Sequence, residues 1–140
     1  MAKTTESFEI ELPKARAQIR ISVRDLVEFV LRSGDIDHSG GGVDTITAML
    51  EGSRIHRKIQ KKMGASYHAE VPLKFVITYD DYELGIEGRA DGIIIEPTGV
   101  TIDEIKGVYL DLDNMTEPIL VHLAQAKCYA YIYATQNHLD

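Results

Sequence analysis

Cysteine is nearly absent from this chain of 140 residues, with Cys128 standing alone. An internal disulfide is thereby excluded, and so are a cysteine-rich zinc site and an iron–sulfur cluster held within the chain. Long apolar runs are missing too. No stretch approaches the roughly 20 residues that a membrane-crossing helix needs, and the N-terminus shows no secretory signal pattern. No membrane association is expected, and a cytoplasmic location is the simplest reading. Positive charge is in the minority: 15 Lys and Arg stand against 22 Asp and Glu, for a net charge of −7. That balance argues against a protein that coats nucleic acid by bulk electrostatics. It leaves room for an enzyme whose metal-ligating carboxylates are part of the acidity. Internal repeats and low-complexity segments are absent as well. What remains, 44% hydrophobic and 26% charged, is ordinary for a globular chain long enough to form one domain with a real core.

Periodicity predicts a single domain over residues 1–140, with a lead-in over 1–43 and a motif-bearing core over 44–134. Residues 8–12 alternate like a strand that Pro13 ends. Ser22 suits the N-cap of an amphipathic helix carried by Val23, Leu26, Val27, Val30 and Leu31. Gly40, Gly41 and Gly42 mark a flexible connection over 34–42, where His38 reads as merely solvated. A helix is expected over 44–63, capped by Asp44 and stopped by Gly64, with Ile46, Met49, Leu50, Ile59 and Met63 at helical spacing. Residues 70–79, 82–96 and 101–107 read as three consecutive antiparallel strands, the first two joined at Asp80 and Asp81. A last helix is expected over 119–135, with Thr116 as cap and Pro118 in the first turn.

The most informative pattern lies on the second and third strands. Gly88-Arg89-Ala90-Asp91-Gly92 leads into the β-branched run Ile93, Ile94 and Ile95. Pro97, Thr98 and Gly99 supply turn chemistry, and Asp103-Glu104-Ile105-Lys106 follows on the return strand. If Pro97 and Thr98 form the loop, Glu96 faces Gly99 and Asp91 falls opposite Glu104; a three-residue loop moves this register by one. Cross-strand Cβ atoms stand about 4.5–5.5 Å apart. Two carboxylates so placed repel each other unless a hard cation such as Mg²⁺ or Mn²⁺ lies between them. Alternation puts Lys106 on the face of Glu104, with Ile105 turned away. Lys106 would then stand beside the metal, able to hold an attacking water. Solvated acidic residues in a hairpin are the ordinary alternative.

Two helices add to the pattern. Arg54, Arg57, Lys58, Lys61 and Lys62 crowd the first. The helix dipole suffices to explain Lys61 and Lys62, but less so Arg54, Arg57 and Lys58, which flank His56. On the last helix, His122, Gln125 and Tyr129 fall on one face at i, i+3 and i+7. A polar stripe on an otherwise apolar helix suggests a wet cleft, with a plain solvent face as the alternative.

The order of these pieces resembles the RecB-type branch of the PD-(D/E)XK nuclease superfamily. The pieces are Gly52-x-x-x-His56, then Gly88-Arg89-Ala90-Asp91-Gly92, then Asp103-Glu104-Ile105-Lys106, then Gln125-x-x-x-Tyr129, and the likeness covers about residues 44–134. It implies a restriction-endonuclease-like α/β fold (α+β by layer order), with a three-stranded antiparallel meander in a mixed sheet flanked by helices. It implies a Mg²⁺- or Mn²⁺-dependent deoxyribonuclease, exonuclease before endonuclease, acting in DNA repair or recombination. Asp91, Glu104 and Lys106 would be catalytic. His56, Asp91, Glu104 and the Ile105 backbone carbonyl would bind metal. Gln125 and Tyr129 would position DNA, and His122 often occurs at its position in such helices; Arg54, Arg57 and Lys58, crowded around His56, are the basic residues expected to contact the DNA. The family core normally continues with another strand after the Gln-Tyr helix, and this sequence has none. The chain would then be a fragment of a larger nuclease or helicase–nuclease, or would take the strand from residues 8–12 or from a partner chain, including a second copy. A catalytically inactive nuclease-fold DNA-binding or structural module is the alternative reading.

Overall fold

The structure, a computed structural model, describes residues 15–32, 45–109 and 111–139. The expected strand over 8–12, the glycine-rich connection with His38, and the Asp44 cap lie outside these residues. The chain is mixed α/β. Strand β1 (Ala17–Ser22) leads into helix α1 (Val23–Val30), followed by α2 (Thr45–Gln60). Strands β2 (Tyr67–Thr78), β3 (Tyr82–Glu96) and β4 (Gly99–Asp103) come next, then a short 3₁₀ turn at Leu112–Asn114 and helix α3 (Leu120–Asn137).

The four strands form one mixed sheet built around β3. β2 pairs antiparallel with nearly the whole of β3. The opposite edge is shared: β1 runs parallel along Tyr82 to Glu87, and β4 returns antiparallel along Gly92 to Glu96. The three-strand meander is therefore as expected, and β1 raises the count to four; among the described residues no strand follows α3. β1 escaped the sequence reading because a strand of six residues, with only Ile19 and Ile21 alternating, ends directly at the Ser22 cap. That cap is real: the Ser22 hydroxyl accepts from the Asp25 amide at 3.0 Å.

Several boundaries differ from expectation. β2 begins at Tyr67, three residues early, because Tyr67 to Ala69 pair with Gly92 to Ile94. α2 ends at Gln60, and Lys61 to Met63 form turns instead, Lys62 and Met63 bonding to carbonyls three residues back. Thr116 does not cap α3; Ile119 occupies the cap position with no side-chain bond. β4 stops at Asp103 rather than continuing to 107.

The core gathers Val23 from α1, Leu73 from β2, Ala90 and Ile93 from β3, and Tyr129 and Ile132 from α3. In α3 the polar stripe is the inward one. Gln125 and Tyr129 are buried with Ile132, while Tyr131 is 61% exposed. α2 behaves likewise. Met49 and Leu50 of its apolar stripe are 69% and 65% exposed, so it is the polar face carrying His56 and Gln60 that meets the sheet. No helix among the described residues is long and apolar enough to cross a membrane.

Candidate metal centre

The expected hairpin register holds. Glu96 pairs with Gly99 and Gly92 with Asp103, which would set Asp91 opposite Glu104. The ladder ends one pair short of that, for a physical reason. The Asp91 carboxylate turns across the gap and accepts the Ile105 amide through Oδ2 at 2.7 Å. A buried charge-assisted bond of this kind replaces the ladder bond and draws 104–106 away from the strand. Glu104 and Lys106 nevertheless share a side, their Oε1 and Nζ atoms standing 2.7 Å apart, while Ile105 is buried. Ile105 therefore meets the site through its amide.

Asp91 Oδ1, the other oxygen, lies 3.2 Å from His56 Nδ1. Glu70, from β2, completes the cluster: His56, Glu70 and Asp91 each offer one ligand atom, all within 4.8 Å of one another. The expected set joined Glu104 to His56 and Asp91; Glu104 is not one of the three residues of this group. It lies alongside. Its side chain is only 5% exposed, and its Oε2 is buried with no hydrogen-bond partner. An orphaned buried carboxylate oxygen is a costly feature, and a cation is the kind of partner that would remove the cost. The carboxylate oxygens suit Mg²⁺ or Mn²⁺, and the imidazole nitrogen beside them favours Mn²⁺ of the two.

Electrostatics agree. Burial, and then the nearby Asp91 charge, push the Glu104 carboxyl above its ordinary value of 4.5, although Lys106 opposes the shift. Glu104 therefore binds its proton more tightly in the folded chain than in the unfolded one. In the absence of metal, its contribution to stability is fully present below pH 4.5 and is lost as the pH rises through the raised value. Melting curves in EDTA between pH 4 and 7 should show wild type losing stability relative to Glu104→Gln, whose neutral amide cannot ionise. Parallel curves for the two proteins would contradict the assignment.

The centre opens into a cleft of about 710 Å³ walled by α1, α2, the sheet and α3. Gln125 and Tyr129 line it as expected, their side chains 3.4 Å apart. Of the basic residues predicted on α2, only Arg57 lines it; Arg54 and Lys58 are exposed on the helix outside the cleft. Arg24 and Arg89 supply the remaining cationic lining, and neither carried a predicted role. His122 lies nearby. Burial, then the charges of Lys106 and Arg24, hold its imidazole below the usual value, so it favours the neutral form. Glu70 was also missed, since in the sequence it merely opened a strand. Gln60 had a legible signal, four residues after His56 on the same helix face.

The two glycines of the Gly88-to-Gly92 motif make room for side chains. A Cβ at Gly88 would lie 2.6 Å from the Tyr129 hydroxyl, and one at Gly92 would overlap the Tyr67 ring. Tyr67 is fixed there by donating to Asp103 at 3.0 Å; burial and then that bond raise its phenol. Gly92→Ala should cost about 1–3 kcal/mol by overpacking, read by urea denaturation. Adding Tyr67→Ala should make the pair less than additive, and strict additivity would show that the ring is not the obstacle.

Comparison with protein-family models, with curated proteins and with solved structures found no match for this chain.

Proposed function

We propose that this chain is a metal-dependent deoxyribonuclease with a restriction-endonuclease-like core, working in DNA repair or recombination. The carrying observation is the convergence of His56, Glu70 and Asp91 within 4.8 Å, beside a buried Glu104 oxygen without a partner. His56 and Asp91 would hold the cation, Glu104 would turn its free oxygen towards it, and the Ile105 carbonyl is the further ligand that the resemblance implies. Bound Mg²⁺ or Mn²⁺ would supply Lewis-acid polarisation of a phosphate oxygen and acidify a water.

The protein's own groups do the rest. Lys106, 30% exposed and ion-paired to Glu104, can donate to the attacking water and place a positive charge where negative charge develops. Arg57, with no ion-pair partner among the described residues, faces the same cleft and suits a backbone phosphate. Gln125 and Tyr129 offer donors on the opposite wall. An exonuclease acting as part of a larger nuclease or helicase–nuclease, or as an oligomer, is the form that this reading favours.

The deciding experiment incubates the purified chain with end-labelled and circular DNA, single- and double-stranded, in Mn²⁺, Mg²⁺ or EDTA. Cleavage of linear DNA that needs the metal and spares circles is the expected result. Mn²⁺ binding without any cleavage would favour the inactive module. Neither binding nor cleavage would remove the nuclease reading.

A further inference from the structure

One rung of the β2–β3 ladder is broken, and it lies in the cleft. Pairing runs from Tyr67 with Ile94 to Thr78 with Glu83 and skips only Glu70 against Asp91. Glu70 has φ 55°, in the left-handed region that a non-glycine residue rarely enters within a strand. The conformation brings no burial, since the Glu70 side chain is 41% exposed. What it achieves is placement: the carboxylate joins His56 and Asp91 in the three-residue cluster.

Two donors hold it there. Gln60 Nε2 donates to Glu70 Oε1 at 2.9 Å and to the Asp91 carbonyl at 3.0 Å, tying the two strands across the broken rung. Arg89 Nε lies 2.8 Å from Glu70 Oε2. The carboxylate thus carries a full positive charge beside it, from a side chain that is 67% exposed and free to swing into solvent.

We propose that Glu70 is a ligand of the cation, and that Arg89 is the counter-charge that holds Glu70 until the cation binds and releases it. A guanidinium and a divalent cation on one carboxylate repel each other, so the two compete for Glu70. Once displaced, Arg89 stands in a cleft that already presents Arg24 and Arg57, where a phosphate can take it up. Cation and phosphate-bearing ligand then favour each other's binding, and by linkage the coupling is reciprocal. The inference rests on the metal reading above.

The test titrates Mn²⁺ into the EDTA-stripped full chain by calorimetry. Glu70→Gln should weaken Mn²⁺ by about a hundredfold or more, beyond the range for loss of an outer-shell partner. Arg89→Gln should tighten it severalfold, and that gain should shrink in the double variant. Glu70→Asp, which keeps the charge, should lose less than Glu70→Gln and serves if the amide variant folds poorly. Unchanged affinity in Glu70→Gln, with binding lost in Asp91→Asn, would overturn this inference and leave the metal reading standing. Arg89→Gln weakening Mn²⁺ would overturn the competition, making Arg89 a positioning group. Absence of Mn²⁺ binding in wild type would overturn both.

Discussion

Lys106→Ala should lower metal-dependent DNA cleavage by about a hundredfold or more while the chain unfolds at nearly the wild-type temperature. The stability half of the expectation comes from placement. Lys106 lies beyond the end of β4, its side chain is 30% exposed, and it takes no part in the core cluster. The Glu104 ion pair that it loses is offset in part by burial, which disfavours the charged carboxylate. Removing Lys106 lets Glu104 take up a proton instead of leaving a bare buried charge.

The activity half comes from the nature of the group. A lysine ammonium is a compact point charge with three donors. It stands 2.7 Å from Glu104, and under the proposed reading it would orient a water held beside that carboxylate. Mn²⁺ affinity separates this role from a structural one. If Lys106 acts on the nucleophile, the alanine variant binds Mn²⁺ as well as wild type or better, since a competing positive charge is gone. Retention of full cleavage would remove Lys106 from the catalytic set, and parallel loss of Mn²⁺ binding and cleavage would make it a support for Glu104.

Much of the architecture was readable because it rests on local chemistry. The β3 limits, the Pro97-Thr98 turn and the pairing of Gly92 with Asp103 follow from β-branched runs and turn residues. The Ser22 cap and the start of α1 follow from one hydroxyl ahead of an amphipathic run. The site was legible only in part. His56, Asp91 and Gln125, each singled out by its spacing, line one cleft. Glu70 could not be read, because its place depends on a left-handed residue in the middle of a strand, and no propensity favours glutamate there. Arg24 and Arg89 were overlooked for a related reason: no local spacing marks a charge that reaches a cleft from α1 or β3. The end of β4 was misplaced because the Ile105 amide is claimed by a side chain 14 residues away. A pattern rule assigns that amide to the ladder. The exposed apolar stripe of α2 shows the converse error, since periodicity reports a face without saying what meets it.

Asp91→Asn should reduce Mn²⁺ affinity by about a hundredfold or more, beyond the range for loss of an outer-shell partner, and abolish cleavage. The chain should nonetheless remain folded. Asp91 has two jobs that the substitution separates. Through Oδ2 it accepts the Ile105 amide at 2.7 Å and fixes the path out of β4; asparagine retains a carbonyl oxygen and can keep that bond. Through Oδ1 it faces His56 at 3.2 Å and joins the cluster with His56 and Glu70, and there asparagine removes the charge. Without metal, Asp91 also adds to the repulsion felt by Glu104, so the neutral variant should melt in EDTA no lower than wild type. The signature is therefore in the difference. Wild type gains melting temperature as Mn²⁺ is added, by the linkage of binding to folding, and Asp91→Asn does not. A purely structural Asp91 gives the opposite pattern: a lower melting temperature in EDTA and an undiminished gain with Mn²⁺. The two roles of this one carboxylate are thus resolved by a single pair of melting curves, because the bond to Ile105 survives the amide and the charge at the cluster does not.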